Sequence, residues 1–267
     1  MGRIKSIIKQ ILFYLLSGSK GYADIKVLAG QAKGIKMRID LRKEGSYFLG
    51  TYDKWIFDRI NFEDFIKPGM VVWDCGSYIG YYTAVFRKCM GETGQIFVFE
   101  ASTKNYNIVK ELPILNNWHN VSVINCAVGP EHTILKFSDN LGGSNGPVGL
   151  SKTYDSDIEI IEVECHGIDE LVQEKNIPLP DVIKFDLESA EVFALHNGDR
   201  VFGQKRPIIL LELHGEEAFL AAGSFLSKYN YRAAYVGDFP NPNKWYYNLA
   251  DLEQIGFIPH MVMCLPN

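Results

Sequence analysis

Three features are scarce in this 267-residue sequence: basic charge, closely spaced cysteines and long apolar runs. Aspartate and glutamate (32) outnumber lysine and arginine (27), so the net charge is −5 and the chain has no basic field for non-specific nucleic-acid binding. The five cysteines contain no C-x-x-C pair, which argues against a disulfide framework or a zinc site. The number and spacing of the cysteines predict free thiols in a reducing compartment, the cytoplasm.

The N-terminal segment is the most apolar part of the chain. Its longest unbroken apolar run, Ile11 to Leu16, is far shorter than the ~20 residues of a membrane-spanning helix. Isoleucines and leucines from Ile4 to Leu15 follow one helix face, with basic residues off that face. This pattern predicts an amphipathic helix that packs on its own domain or on a sister subunit, or that makes peripheral membrane contact through residues 3–16. No oligomeric state is predicted.

The rest of the chain is organised around the stretch from Val71 to Gly80. An apolar segment ends in Asp74, glycines follow at Gly76 and Gly80, and Tyr81 to Met90 is predicted to be a helix. A strand, glycine turn and helix of this kind form a ligand-binding crevice at the carboxyl end of a parallel sheet. A dinucleotide fingerprint has glycine where this chain has Asp74. The carboxylate therefore favours a locally cationic ligand, such as S-adenosylmethionine, over a pyrophosphate.

A second acid favours the same ligand. The apolar segment Gln95 to Phe99 is followed by Glu100, about 20 residues beyond Gly80. In a Rossmann-type unit, an acid at this distance accepts hydrogen bonds from ribose hydroxyls. Asp74, Gly76, Gly80 and Glu100 are therefore predicted to bind the methyl donor.

Strands alternate with helices along most of the chain, which indicates an α/β fold with a largely parallel sheet. With 47% hydrophobic residues, the chain is long enough to bury a full core. We predict that residues 1–50 form the amphipathic helix and a small β-hairpin cap, and that residues 51–267 form the main domain.

Four further element predictions are specific enough to be checked. Helices are predicted from Trp55 to Ile66 and from Thr103 to Leu112, and a third strand from Val121 to Val128. The glycine-rich segment Asp139 to Pro147 is predicted to be a loop, either plain surface or a lid over the acceptor.

Charged side chains gather where two later strands are predicted to end. Lys184 and Asp186 share one side of the fourth strand's end, as Glu212 and His214 do on the fifth. If these strands are neighbours, the four side chains converge beside the donor, and they are the predicted catalytic residues. Because histidine suits proton transfer near neutral pH, His214 or Asp186 is predicted to remove the proton of a hydroxyl acceptor.

Two more acids follow the fourth strand. Glu188 and Glu191 are predicted to share a face at the start of the next helix, where acids complement the helix dipole. An alternative function for Asp186, Glu191, Glu212 and His214 is to hold a divalent metal that acidifies the acceptor hydroxyl.

Taken together, these motifs resemble the FkbM-type methyltransferases, a class I S-adenosylmethionine-dependent family associated mainly with O-methylation. The resemblance runs from about Gly50 to His214. The matching blocks are Val72–Thr83, Val98–Glu100, Asn125–Gly129, Ile183–Glu191 and Arg206–His214. Ser77 and Tyr78 stand where the family usually has Ala-Asn, and Ser189 where it usually has glycine.

The resemblance implies a Rossmann-like class I methyltransferase sheet, mostly parallel and doubly wound, with an antiparallel last strand. It implies a donor site made by Asp74, Gly76, Gly80 and Glu100, with the turn Asn125, Cys126 and Ala127 near the adenine. Ser77, within the glycine turn, is also predicted to bind the donor. It also implies that the segment around Asp186 faces the methyl group. The expected acceptor is a hydroxyl of a sugar, glycolipid or small metabolite.

Two other function classes stay open at this point. An NAD-dependent oxidoreductase or epimerase has a similar architecture, but Asp74 at the turn argues against it. A non-catalytic binding domain is the other, against which the acids at both donor positions argue. Nucleic acid is not the expected acceptor, since the sequence lacks the Asn/Asp-Pro-Pro-aromatic block and the Pro-Cys nucleophile of base methyltransferases.

Overall fold

The computed structural model describes residues 21–139, 146–148 and 159–267. The predicted amphipathic helix, with residues 3–16, lies outside the described residues, as does most of the predicted loop from Asp139 to Pro147. Among the residues that are described, no helix combines the length and apolar character needed to cross a membrane.

The described strands form three sheets. Their bounds are β1 Tyr22–Lys26, β2 Lys36–Asp40, β3 Val71–Cys75, β4 Gln95–Phe99, β5 Val121–Ile124, β6 Ala127–Gly129, β7 Thr133–Ser138, β8 Ile160–Gly167, β9 Val182–Phe185, β10 Ile208–Glu212, β11 Tyr231–Tyr235 and β12 Met261–Pro266. The large sheet has the order β11-β12-β10-β9-β3-β4-β5, the small sheet the order β6-β8-β7, and β1 pairs with β2 as a hairpin.

The large sheet confirms the predicted fold class. Its strands β3, β4, β5, β9 and β10 run parallel. The last strand, β12, runs antiparallel to both β10 and β11. Crossovers in this order bring β3 between β4 and β9, so the glycine turn after β3 lies at the centre of the sheet's carboxyl edge.

Alternating side chains of the central strands feed two separate hydrophobic cores. Val72 of β3 belongs to one core, while Trp73 and Cys75 belong to the other. Burial on both faces explains why these strands are continuous apolar runs rather than alternating ones. The first core also contains residues of the N-terminal hairpin, such as Met37 and Ile39.

The helices are mostly short. Their bounds are Gly45–Leu49, Lys54–Phe57, Tyr81–Met90, Thr103–Val109, Glu111–Asn116, Ile168–Gln173, Glu191–Ala194, Glu216–Tyr229 and Leu249–Leu252, with a π-helix at Asp199–Lys205. The helix predicted after the glycine turn has the predicted bounds.

The prediction of one helix from Trp55 to Ile66 is wrong. The helix ends at Phe57, and a separate 3-10 turn spans Phe62–Asp64. The side chain of Asn61 caps this turn by accepting a hydrogen bond from the Glu63 N–H at 3.3 Å.

The predicted helix Thr103 to Leu112 is also two helices, and they meet at Lys110. Pro113 lies in the first turn of the second helix, where its missing N–H leaves no hydrogen bond unmade.

The predicted third strand, Val121 to Val128, divides between two sheets. β5 ends at Ile124, and the chain then enters the small sheet as β6 from Ala127. The Asn125 side chain lies at the division and donates hydrogen bonds to the carbonyls of Glu100 and Ala101, at 2.8 and 3.1 Å. A side chain therefore redirects this segment, which hydrophobic patterning does not detect.

Candidate active site

The turn after β3 requires glycine at two positions. Gly76 has φ +78°, and a Cβ there would lie 1.7 Å from the carbonyl oxygen of Asp186. Gly80 has φ +83°, and a Cβ there would lie 2.8 Å from methyl groups of Val109 and Leu112. Both positions combine left-handed backbone with close approach, so only glycine fits without strain. The turn is thereby pressed against the end of β9.

Glu100 lies beside this turn and is held by backbone donors. One carboxylate oxygen accepts the Tyr78 N–H at 2.7 Å and the other accepts the Ser102 N–H at 3.0 Å. Burial raises the pKa of Glu100 to about 7, against the lowering effect of these two hydrogen bonds and of a third from the Asn105 side chain. Three donors leave one of the carboxylate's four acceptor positions for a ligand hydroxyl.

A cleft opens between the glycine turn and the end of β9. Its walls combine backbone, acids, an amide and aromatic rings. The lining residues are Gly76, Tyr78, Glu100, Ala101, Asn105, Phe137, Asp186 and Glu188.

Of the predicted donor residues, only Gly76 and Glu100 line this cleft. Asp74 is fully buried behind the turn, where its carboxylate accepts a hydrogen bond from the Thr83 hydroxyl. Ser77, also buried, and Gly80 shape the turn, since the Gly80 N–H donates to the Ser77 carbonyl at 2.8 Å.

The three residues predicted near the adenine are also set back from the cleft wall. Asn125 fixes the backbone after Glu100, as described above. Cys126 is buried in the second core, and Ala127 lines a neighbouring apolar pocket.

Sequence reasoning missed five lining residues: Tyr78, Ala101, Asn105, Phe137 and Glu188. Ala101 directly follows the second acid and was within reach of a sequence argument. Asn105 lies in the next helix and Phe137 on β7, so both reach the cleft through tertiary packing alone.

Lys184, on β9, links the end of its own strand to the glycine turn after β3 at the base of the cleft. It is 1% exposed, and its Nζ donates to Asp186 Oδ2 at 3.0 Å and to the Gly76 carbonyl at 3.1 Å. Nζ also lies 3.8 Å from Asp74 Oδ1. Burial opposes the charge on Lys184, but Asp186 and Asp74 outweigh it and raise the pKa of the ammonium group. Lys184 is thus a buried cation that neutralises two acids.

His214 lies inside a group of four acids, which we call the carboxylate cage: Asp186, Glu188, Glu191 and Glu212. Its Nδ1 lies 2.9 Å from Oε1 of the fully buried Glu191. Its Nε2 lies 3.4 Å from Glu212 Oε1, 3.8 Å from Asp186 Oδ1 and 3.8 Å from Glu188 Oε2.

The cage changes the role of His214. Burial opposes its charge, but the hydrogen bonds and charges of Glu191 and Glu212 raise the pKa of His214 to about 11. The ring is therefore an imidazolium at neutral pH and cannot accept a proton there. The four predicted catalytic residues do lie together, but His214 provides positive charge instead of a base.

The segment from Tyr52 to Trp55 lies near the cage. Burial, then the charges of Asp53 and Asp186, raise the pKa of the Tyr52 hydroxyl, which indicates that this segment lies near the ends of β9 and β10. Beside it, His260 Nε2 lies 3.1 Å from Glu212 Oε1, and the His260 ring lies 5.8 Å from that of Trp55. Acids and aromatic rings thus lie together on this side of the carboxylate cage.

Residues 74–233, more than half of the chain, match the Methyltransferase FkbM domain family. The chain belongs to the FkbM methyltransferase family. The matched segment contains the glycine turn, Glu100, Lys184 and the whole carboxylate cage. The charged residues that cluster at the cleft of this FkbM domain therefore all lie within the segment that matches the family. Tyr52, Asp53 and Trp55 precede it, and His260 follows it.

Solved structures give more distant likenesses. The FkbM methyltransferase from Methylobacillus flagellatus superposes with a TM-score of 0.49 at 13% identity over 83% of this chain. This chain spans 52% of that protein. Fibrillarin from Aeropyrum pernix, solved with natively bound S-adenosyl-L-methionine, gives a TM-score of 0.40 at 10% identity, covering 74% of this chain and 67% of that one. No curated protein matches the sequence.

Two groups of described residues have the donor types for a metal ion. Asp186, Glu212 and His214 form the first group, but Lys184 already pairs with Asp186 and His260 with Glu212. Near β8, His132, Glu164 and His166 form the second group. There, Lys175 Nζ already lies 3.0 Å from Glu164 Oε1. Lysine side chains thus already neutralise one acid in each group.

Proposed function

We propose that this FkbM domain is an S-adenosylmethionine-dependent O-methyltransferase, and that the cleft beside Gly76 and Glu100 holds the donor. The observation that carries the proposal is the pairing of a glycine turn with a buried acid at the ends of adjacent parallel strands. Phe137 and Ala101 provide apolar surface for an adenine, and Glu100 retains an acceptor position for a ribose hydroxyl.

The charge of the cleft suits a cationic donor. Asp186 and Glu188 line it together with Glu100, so acids exceed cations along its wall. A bound sulfonium ligand supplies an electrophilic methyl group. The chain's own residues would fix the ligand's orientation and present the acceptor in line with that methyl group, which is a large part of the catalysis of such a displacement.

The acceptor side favours a neutral hydroxylated molecule. Asp53, Asp186, Glu188 and Glu212 are acids that repel an anion but accept hydrogen bonds from hydroxyls, while Trp55 offers a ring face for a sugar. In the reaction, the acceptor oxygen forms a bond to the methyl carbon while the carbon–sulfur bond breaks and the sulfonium becomes a thioether. The hydroxyl proton leaves to a carboxylate of the cage.

The test is methyl transfer from donor labelled in its methyl group to a panel of neutral glycosides and glycolipids, with the product's new linkage read by NMR. We expect label on oxygen for the native chain and for Glu63→Gln, an exposed control, and a large loss for Glu100→Gln. Label found only on nitrogen or carbon would contradict O-methylation. Tight NADH binding without S-adenosylmethionine binding would point to an oxidoreductase.

We also propose that the protein acts in the cytoplasm on a small-molecule or glycan acceptor and not on nucleic acid. All five cysteines are free, and four of them are buried. Free thiols suit a reducing compartment.

A further inference from the structure

Glu188 occupies a position that helix capping does not explain. The helix after β9 begins only at Glu191, so Glu188 precedes it. Its side chain is 31% exposed and lines the same cleft as Gly76 and Glu100. The prediction that Glu188 serves the dipole of this helix is therefore wrong, and its carboxylate faces the cleft instead.

The backbone at Glu188 and Ser189 is strained where the Glu188 carboxylate faces the cleft. Glu188 has φ +50° and Ser189 has φ +82°, so two consecutive non-glycine residues adopt left-handed conformations. Neighbouring contacts hold the strained segment in place. Glu191 Oε1 accepts the Leu187 N–H at 2.7 Å, and the Ser189 hydroxyl donates to the His214 carbonyl at 3.4 Å. Strain of this kind, held by surrounding contacts, is typical of functional segments.

Glu188 differs from the other acid at the end of β9 in its partners. Asp186 accepts a hydrogen bond from Lys184, whereas Glu188 Oε2 lies 3.8 Å from His214 Nε2, beyond hydrogen-bond distance. A carboxylate that is part-buried and not closely paired gains most from a cation placed in the cleft.

Several charged groups face Glu188. Asp186 precedes it on the same loop, Glu191 lies in the following helix, and Glu212 and His214 approach from the end of β10. Burial raises the pKa of Glu188 to about 7, against the lowering effect of His214. The carboxylate therefore changes charge near neutral pH, while His214, with its pKa near 11, stays cationic.

We propose that Glu188 faces the sulfonium of the bound donor and lets this site distinguish S-adenosylmethionine from S-adenosylhomocysteine. The inference rests on the proposed function. The two ligands share adenosine and amino-acid groups but differ by one methyl group and one positive charge. A Glu100 carboxylate that binds the ribose contacts the same hydroxyls in both ligands. A carboxylate beside the sulfur contacts a positive charge in S-adenosylmethionine but a neutral thioether in S-adenosylhomocysteine. Ionised Glu188 therefore favours the donor and helps the product leave.

The test needs no acceptor. Dissociation constants of both ligands are measured by calorimetry at pH 6 and pH 8 for the native chain, Glu188→Gln and Glu100→Gln. The quantity of interest is Kd of S-adenosylhomocysteine divided by Kd of S-adenosylmethionine. This ratio should rise with pH because Glu188 loses its proton over this range. The two variants control for effects of pH on the protein groups that bind both ligands alike.

For the native chain we expect the ratio to increase roughly tenfold from pH 6 to pH 8. This is the effect on affinity of attraction between one carboxylate and one nearby sulfonium in a partly solvated site. Glu188→Gln should lose this increase while still binding S-adenosylhomocysteine, which also shows that the variant is folded. Glu100→Gln should weaken both ligands and keep the increase.

A native ratio that does not change with pH, or the same increase in Glu188→Gln, would overturn the inference while leaving the donor site intact. Failure of the native chain to bind either ligand would instead overturn the proposed function, and the inference with it.

Discussion

The glycine turn and the carboxylate cage hold their acids by different means. Beside the turn, Glu100 accepts hydrogen bonds from two backbone N–H groups. In the cage, Asp186, Glu191 and Glu212 surround two cations, Lys184 and His214. Backbone dipoles position a carboxylate without cancelling its charge, whereas a buried cation does both.

The difference appears in the cause of the pKa shifts, which are upward in both places. Burial raises the pKa of Glu100, an acid whose charge is not neutralised by a partner. In the cage, the acids instead raise the pKa values of Lys184 and His214. Glu100 can therefore change its charge near neutral pH, whereas the two cations of the cage remain charged. Removing a cation from the cage should accordingly be more costly than removing the Glu100 carboxylate.

The largest effect is expected for Lys184→Met. It leaves Asp74 and Asp186 without their buried cation, and breaking a buried ion pair in this way costs about 3–5 kcal/mol. Urea unfolding followed by circular dichroism measures the loss. Lys205→Met is the matched control, because Lys205 pairs with Asp181 at 2.6 Å with both side chains about one-third exposed, and should cost under about 1 kcal/mol. Equal losses in the two variants would contradict a special role for the buried cation.

A smaller effect is expected from Glu100→Gln on the pH dependence of stability. Because the folded-state pKa of Glu100, about 7, exceeds its unfolded value of 4.5, the folded protein binds this proton more tightly. The free energy of unfolding therefore falls as pH rises from about 4.5 to about 7. Removing the carboxyl should flatten that fall by on the order of 2 kcal/mol, as measured by urea unfolding across this range. An unchanged slope would mean that Glu100 titrates normally; Glu63→Gln, at an exposed site, should keep the native slope.

Glu191→Gln tests the cage directly. Glu191 is the hydrogen-bond partner of His214 Nδ1, so replacing its charge should lower the pKa of His214 from about 11 by roughly one unit or more. An NMR titration of the imidazole resonances measures this. Glu217→Gln, an exposed neighbour at the start of the next helix, should leave the pKa near its native value. If both variants shift His214 alike, the Glu191 contact is not what holds its proton.

The smallest effect is expected for Ser189→Gly. At φ +82° glycine relieves strain, while the change gives up only a long 3.4 Å hydrogen bond to the His214 carbonyl. The variant should be stabilised by about 0.5–1 kcal/mol in thermal or urea unfolding. Destabilisation would show that the Ser189 side chain contributes more than its backbone costs. Ser224→Gly, in the middle of a helix with ordinary backbone, should be destabilising by contrast.

The glycine turn, its helix and the strand that ends before Glu100 could be predicted from the sequence because their signals are local. The glycine turn, its helix and Glu100 follow one another within 30 residues, and each leaves a recognisable pattern. The convergence of Lys184, Asp186, Glu212 and His214 could also be predicted, since parallel neighbouring strands end at one edge.

What could not be predicted depends on tertiary contacts or on backbone conformation. Asn105 and Phe137 reach the cleft from elements that carry no donor motif. The orientation of Glu188 follows from left-handed dihedral angles that no residue pattern announces at a non-glycine position. His214 was predicted as a base because its sequence neighbours do not reveal that four acids surround it. Asp74 suggested a direct donor contact, but Lys184 and Thr83 hold it behind the turn.

The most direct test of the central claim is calorimetric titration of S-adenosylmethionine into the native chain, Glu100→Gln and Glu63→Gln. We predict one donor bound per native chain, the same affinity in Glu63→Gln, and an affinity roughly 10- to 100-fold weaker in Glu100→Gln, the effect of losing hydrogen bonds to a charged group. No binding to the native chain, or equal affinity in Glu100→Gln, would contradict the assignment of this cleft as the donor site.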